Sequence, residues 1–593
     1  MNPSDLRRFS LVTSRLSKLE PAQAVFLVTD PDVVNRPRRN KQGTAEKREI
    51  RMEFNVLVGG EAGQGMFSVE LELTELLSKF HYHFFATKNY MSRIRGGHNF
   101  HMIRIGENPV HALSGESWDM IIALDSETER YHRQDLSESG IFLPPGQVKE
   151  MEDVARERFG EVTATNSMLV GLILSAMGCP QEKFSGITDI SSNPDHLSAG
   201  FEFARRWGMA GRHPIEPKAQ AHCKFDGNQA LALGALLGGC QFMASYPMTP
   251  ATSIMHYIST VALDHPVHFE QAEDEISAVN MALGASYAGL RSLVATSGGG
   301  FALMQEGISL AGMTETPVVV IVAQRPGPAT GLPTRTEQGD LNFVLHAGHG
   351  EFPRAIYAPG TLHEAMVLAR KSFHVADRCQ TPVFILTDQY FADSVQMMFE
   401  DIPLEIIRRD YGSFDASYRR YRLTDSGLSP LACPGAGDGL VRVDSDEHDE
   451  EGKITEDLSL RTRMVEKRLR KFDFLQKETV MPSFTGDARS DVIVINWGSN
   501  KMIVEEAVRR IAGGGVRAGA LHFSQVYPLT QDMVAPWNLK GKRLFSVENN
   551  AMGQFAALLK RELGITVDHQ ILKYNGECFT VKELFQTLRK HLS

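Results

Sequence analysis

Apolar residues along this chain fall into two alternating kinds of stretch. Short continuous runs such as "FNVLV", "MIIALD", "PVVVIVA", "PVFILTD" and "VIVINW" are bounded by glycine, proline or polar residues. Runs of this length and punctuation predict strands buried on both faces. Between them lie longer stretches with apolar positions at helical spacing, among them "MFSVELELTELLSKF" and "KMIVEEAVRRIAGGG", the latter with a glycine stop. Strands alternating with helices predict α/β architecture with parallel sheets. The pattern divides the chain into three consecutive α/β domains at 52–212, 220–410 and 485–593. Residues 1–51 are a basic, unpatterned N-terminal extension, and 411–484 a charged crossover linker with a helix around Leu458 to Leu475.

Composition narrows the class. The chain has 593 residues, 42% of them hydrophobic and 23% charged, as in an ordinary globular protein. A net charge of −10 argues against a nucleic-acid-binding body. No apolar run reaches the ~20 residues of a membrane span, and the first residues lack the apolar stretch of a secretory signal, so a cytoplasmic location is expected. Cys179, Cys223, Cys240, Cys379, Cys433 and Cys578 are dispersed with no C-x-x-C pair. That spacing suits neither a zinc site nor an iron–sulfur cluster built from this chain alone.

Several motifs carry candidate chemistry. "GGEAGQG" follows a strand and opens a helix, a context for an anion cradle or for a plain tight turn, with Lys88, Arg93, Arg95, Gly96 and Gly97 as possible phosphate contacts. In "YPMTP" the prolines Pro247 and Pro250 forbid a helix and hold Tyr246 and Thr249 on a stiff loop. Glu273, Asp274 and Glu275 begin a helix rich in alanine and glycine. Acidic residues there complement the helix dipole, whereas one buried against a heterocyclic nitrogen could hold a proton. "TSGGG" turns after a strand with Ser297, Gly298 and Gly299, and "QRPGPATGLPTRTEQGDL" brings Arg325 and Arg335. His346 and His349 lack a third ligand for a metal, and the "DEHDEE" run reads as a solvated acidic loop.

Taken together and in this order, "YPMTP", "EDEISA", "TSGGGFALMQE" and "QRPGPATGLPT" resemble the alpha subunit of 2-oxoacid:ferredoxin oxidoreductases. The chain is most similar to the 2-oxoglutarate type, in which a gamma domain is fused ahead of alpha. The likeness covers roughly residues 52 to 593 and includes "GGEAGQG" and "VENNAMGQ". It implies a Rossmann-like gamma domain at 52–212, a pyrimidine-binding thiamine diphosphate domain at 220–410 and a transketolase C-terminal-like domain at 485–593.

The resemblance further implies oxidative decarboxylation of a 2-oxoacid with coenzyme A, electrons passing to ferredoxin. It puts Glu275 against the pyrimidine N1′ of thiamine diphosphate, with Tyr246, Pro247, Ser297 and Gly298 as further cofactor contacts. Thr249 hydrogen-bonds the 2-oxoacid, and Arg325, with Arg335 as runner-up, binds its carboxylate. Glu273 and Asp274 are the alternatives to Glu275 in a shifted alignment. "GDG" at Gly437 to Gly439 sits in the crossover and lacks the asparagine pair that would hold Mg²⁺. A separate beta subunit is therefore expected to carry the diphosphate site, Mg²⁺ and a [4Fe-4S] cluster, in a dimer of alpha-beta heterodimers. The alternatives are a pyruvate or broad-range oxoacid oxidoreductase and a non-catalytic scaffold subunit.

Overall fold

The computed structural model describes residues 53–92, 97–184, 193–219, 223–398, 402, 405–406, 414–487 and 489–592. The N-terminal extension and, from the basic stretch after Lys88, Arg93, Arg95 and Gly96 lie outside them.

Three sheets organise the chain. The central one has the strand order Gln525–Tyr527, Ala355–Tyr357, Pro382–Asp388, Val318–Gln324, Ser292–Thr296, Phe242–Ser245, His268–Gln271. The first of these is antiparallel to its neighbour, and the rest pair in parallel. The alternation along "VVVIVA" is visible in the packing. Val318, Val320 and Val322 enter one core, and Val319, Ile321 and Ala323 enter another on the opposite face. The second face is covered by the helices Gly227–Leu237, Thr252–Val261 and Leu362–Cys379. The first is continuous with Ile493, Ile495, Trp497 and Phe555 of the C-terminal unit, so those two units share one core.

The N-terminal sheet corrects the expectation of parallel pairing. Glu53–Gly60, Trp118–Ala123 and Leu136–Leu143 are parallel, but His83–Asn89 and Asn99–Gly106 pair antiparallel to each other, and the latter antiparallel to Glu53–Gly60. The residues between those two strands form no helix among the described positions, so the chain returns as a hairpin rather than a crossover. Two strands from the second sequence unit, Val395–Met398 and Cys223–Asp226, complete this sheet's edge. The units are therefore interlocked rather than strung in a row. Arg104 reinforces the seam: its guanidinium is 1% exposed and bonds both Glu53 and Glu506 of the C-terminal helix Lys501–Gly513.

The C-terminal sheet runs Ser483–Gly486, Ala518–Phe523, Val492–Trp497, Arg543–Glu548, His569–Leu572, parallel except for the first strand. The crossover contains the helix Leu458–Lys477, whose Lys467 and Lys471 are buried against Glu315 of the central unit. Its acidic run is a solvated loop only in part. Asp446 is exposed and Glu451 half-exposed, but Glu447 binds Arg461 and Arg468, and fully buried His448 packs on the Tyr421 ring, so only the middle of the run is drawn inward. No single helix among the described residues is long and apolar enough to cross a membrane.

Candidate active site

Because the central strands are parallel, their carboxyl ends share one edge, where α/β sheets place ligands. Phe242–Ser245 runs into Tyr246–Pro250, Ser292–Thr296 into Ser297–Gly300, Val318–Gln324 into Arg325, and His268–Gln271 into the segment that starts the helix Glu275–Tyr287. Ser245 pins the first two ends together, its hydroxyl donating to Ala295 O at 3.1 Å and accepting from Ala295 N at 3.2 Å.

The proline loop is held from both sides. From below, fully buried Asn228 donates to Pro250 O at 2.8 Å and to Ser253 Oγ at 2.6 Å. From above, Arg325 Nη1 donates to Thr249 O at 2.7 Å. Thr249, Pro247 and Met248 are half-buried, and Tyr246 is exposed.

The three acidic residues of "EDE" separate cleanly. Glu273 is exposed. Asp274 is the N-cap, accepting from Ser277 N at 2.7 Å, which satisfies the helix end. Glu275 is thus released from capping; it is 2% exposed and its Oε1 has no partner. Burial pushes its carboxyl above the ordinary range, with the Asp274 charge adding to the effect. The glycine turn makes room for it, since a Cβ at Gly300 would stand 2.3 Å from Glu275 Oε1 and 2.1 Å from Thr296 Oγ1. Thr296 Oγ1 and Ser297 Oγ are likewise buried without a partner.

On the other side of the turn lies Asp340, whose Oδ2 would be 2.3 Å from a Cβ on Gly298. Burial raises its pKa to about 6, opposed by Arg325. Arg335 is placed elsewhere: it bonds Asn89 Oδ1 of the N-terminal sheet, steered there by the Thr336 N to Gly576 O hydrogen bond at 3.1 Å. The structure thus gathers Thr249, Glu275, Ser297, Gly298 and Arg325, and not Arg335. The "GGEAGQG" loop belongs to a different edge, that of the N-terminal sheet. There Gly65 is left-handed (φ 90°) and packs against the Asn166 side chain.

Residues 55–188 match the family model described as pyruvate ferredoxin/flavodoxin oxidoreductase, and 233–467 match its thiamine-diphosphate-binding model. The alpha subunit of a 2-oxoacid:ferredoxin oxidoreductase from Sulfolobus sp is 29% identical, covering 91% of this chain and 97% of that one. The 2-oxoglutarate synthase subunit KorA of Archaeoglobus fulgidus is 32% identical, covering 56% of this chain and 90% of its own. The chain belongs to the 2-oxoacid:ferredoxin oxidoreductase alpha subunits. A solved 2-oxoglutarate:ferredoxin oxidoreductase from Magnetococcus marinus superposes on this alpha subunit with a TM-score of 0.82 at 25% identity, over 91% of this chain and 100% of the other.

The alpha subunit thus contains a thiamine-diphosphate-binding domain, and its residues fit that role. A buried carboxylate with a free oxygen and two unpartnered hydroxyls line one turn, an arrangement able to meet the ring nitrogens of a heterocycle. Two residues escaped the sequence reading. Asn228 lies just after a capping residue, where an asparagine reads as local turn chemistry. Asp340 ends the polar "TRTEQGD" stretch and looks like loop composition. In "VENNAMGQ" one acid closes a helix start. Glu548 is fully buried and accepts from Phe555 N, Ala556 N and Asn550 Nδ2, closing the start of the helix Gln554–Leu563.

Proposed function

We propose that this alpha subunit catalyses, with a beta subunit, the oxidative decarboxylation of 2-oxoglutarate with coenzyme A. The products are succinyl-CoA, CO₂ and an electron pair that passes to ferredoxin. The observation carrying this reading is the unpartnered buried Oε1 of Glu275, set beside the Thr249–Arg325 clasp at the carboxyl edge of the central sheet. The choice of acid rests on the relatives, the solved structure being named for complexes with 2-oxoglutarate, coenzyme A and succinyl-CoA.

Thiamine diphosphate, when bound, supplies the carbon nucleophile for the 2-oxoacid carbonyl and takes up the electrons left by CO₂. Glu275 holds a proton at Oε1 against the pyrimidine ring, helped by a site that disfavours its anion. Ser297 and Gly298 form the turn on which that ring rests, and Tyr246 and Pro247 wall it. Thr249 orients the substrate, preset by the flanking prolines and by Asn228. Arg325 spends one N–H on Thr249 O and presents the rest of its fork to the substrate carboxylate.

The domain roles follow the same reading: gamma at 52–212, pyrimidine-binding at 220–410 and transketolase C-terminal-like at 485–593. Mg²⁺, the diphosphate site and the [4Fe-4S] cluster are assigned to the beta subunit, in a dimer of alpha-beta heterodimers. Exposed Tyr246, Ile276 and Leu303 lie on the segments that form the site and offer the apolar surface such a partner would cover. The six cysteines of this chain form no pair among the described residues. The test is reconstitution: this chain with its beta partner should reduce ferredoxin with 2-oxoglutarate and coenzyme A, and the chain alone should neither turn over nor carry iron. Preferential turnover of pyruvate would move the assignment to the broad-range type, and stoichiometric iron on the isolated chain would remove the division of labour.

A further inference from the structure

Asp340 stands within electrostatic reach of the arginine that binds substrate in the proposed function, yet nothing in that function uses it. Its Oδ2 is buried without a hydrogen-bond partner and lies against Gly298. The backbone that bears the half-buried Asp340 is clamped on both sides. Asp340 N donates to Gln324 Oε1 at 3.0 Å, and Gly339 O accepts from Gln554 Nε2 at 2.7 Å. Gln338 N donates to Asn549 O at 2.6 Å, and its side chain donates to Trp497 O at 3.0 Å. The C-terminal unit thus fixes an acid in the site of the central one.

The charged groups facing Asp340 are few. Arg325 at the strand end supports its negative charge from a distance, and Glu337 three residues back opposes it. Glu275 lies across the glycine turn. The following helix Leu341–Leu345 and the clamping segments supply Asn342, Gln338 and Gln554, none of which titrates. A carboxylate arriving at Arg325 engages the cation that steadies Asp340 and adds a like charge. Both changes favour the neutral acid.

We propose that Asp340 takes up a proton when a 2-oxoacid carboxylate docks at Arg325, so that substrate binding is linked to protonation of this chain. The linkage rests on the assignment of Arg325 made above. The free carboxyl titrates at about 6, so binding is tightest below that pH and weakens as pH rises through it. The affinity levels off once the pH exceeds the higher value reached in the complex.

The test uses the assembled alpha-beta complex and 2-hydroxyglutarate, which carries the carboxylates but has no carbonyl to attack. Calorimetric titration at pH 7 in two buffers of different ionisation enthalpy counts protons taken up per ligand. The wild type should take up a fraction of a proton, and its Kd should rise by about two- to fivefold from pH 6 to pH 8, the range for a shift of about half to one pKa unit. Asp340→Asn should bind with no proton uptake and a flat pH profile. A flat profile in the wild type, or unchanged uptake in Asp340→Asn, overturns the proposal while leaving the reaction intact. Arg325→Lys separates the two readings: unweakened binding there removes the carboxylate assignment itself. No binding by the wild type at pH 6 counts against both.

Discussion

Arg325 and Thr249 are bonded to each other across the site, guanidinium to backbone carbonyl at 2.7 Å. They follow the strands Val318–Gln324 and Phe242–Ser245, which flank Ser292–Thr296 in the sheet. The bond therefore bridges over the turn at Ser297 and Gly298, and in the proposed function one arginine both shapes the proline loop and faces the substrate. Such dual use predicts that its loss affects every substrate alike.

Arg325→Lys keeps the charge but removes the planar fork. All 2-oxoacids should weaken by similar factors, roughly tenfold or more, since a charge-assisted hydrogen bond contributes about 1.5–3 kcal/mol. Arg335→Lys should leave the ratio of 2-oxoglutarate to pyruvate kcat/KM unchanged, because that side chain is committed to Asn89. Steady-state kinetics on both acids decides, and a crippled Arg335 variant beside a normal Arg325 one would reverse the roles.

Glu275→Gln should lower turnover on the order of 100-fold or more while the assembly stays folded, as expected of a positioned proton-holding group. Gly300→Ala should reproduce much of that loss by displacing the unchanged carboxyl, because its Cβ would stand 2.3 Å from Glu275 Oε1. Circular dichroism with single-turnover decarboxylation distinguishes this from unfolding. A fully active Gly300→Ala would show that Glu275 is free to move.

Asn228→Ala leaves Pro250 O and Ser253 Oγ without their donor. Pro250 O is buried, and an unsatisfied buried group costs about 1–3 kcal/mol, so the melting temperature should fall. kcat should fall with it, because the loop carrying Thr249 loses its floor. Activity unchanged at a temperature where the variant is fully folded would make Asn228 purely structural.

Glu315 faces Lys467, Lys471 and Arg420 in the seam beneath the crossover helix, and those cations hold its carboxyl far below the ordinary 4.5. A depressed carboxylate contributes stability in full above its unfolded value, lost as pH falls toward the folded one. Acid denaturation should therefore steepen below about pH 4.5 in the wild type and be shallower in Glu315→Gln. At neutral pH that variant should lose roughly 3–5 kcal/mol, the cost of stranding buried cations. Denaturant unfolding across pH checks both.

Much was legible along the chain because it is local. The buried strands, the helix Leu458–Lys477 and the break at "YPMTP" all follow from side-chain periodicity and from proline's fixed φ. Order along the chain also listed the loops that meet at the central edge, since parallel strands put every carboxyl end on the same side. What the residues alone left open was which member of each motif does what. "EDE" offered three carboxylates, and only the cap geometry assigns Asp274 to the helix end and frees Glu275. "QRPGPATGLPTRTEQGD" offered two arginines, and only the packing of its far end on Gly576 and Asn89 removes Arg335 from the site.

The sequence by itself determined the α/β class, the stiff proline loop and the candidate residues, because backbone sterics and burial period act over a few residues. Only the tertiary structure decided that strands Cys223–Asp226 and Val395–Met398 close the N-terminal sheet, and that the segment bearing Asp340 is held against Gly298 by the C-terminal unit. Those outcomes depend on pairings between segments up to hundreds of residues apart. Their partners are chosen by complementary surfaces that exist only once each unit has folded.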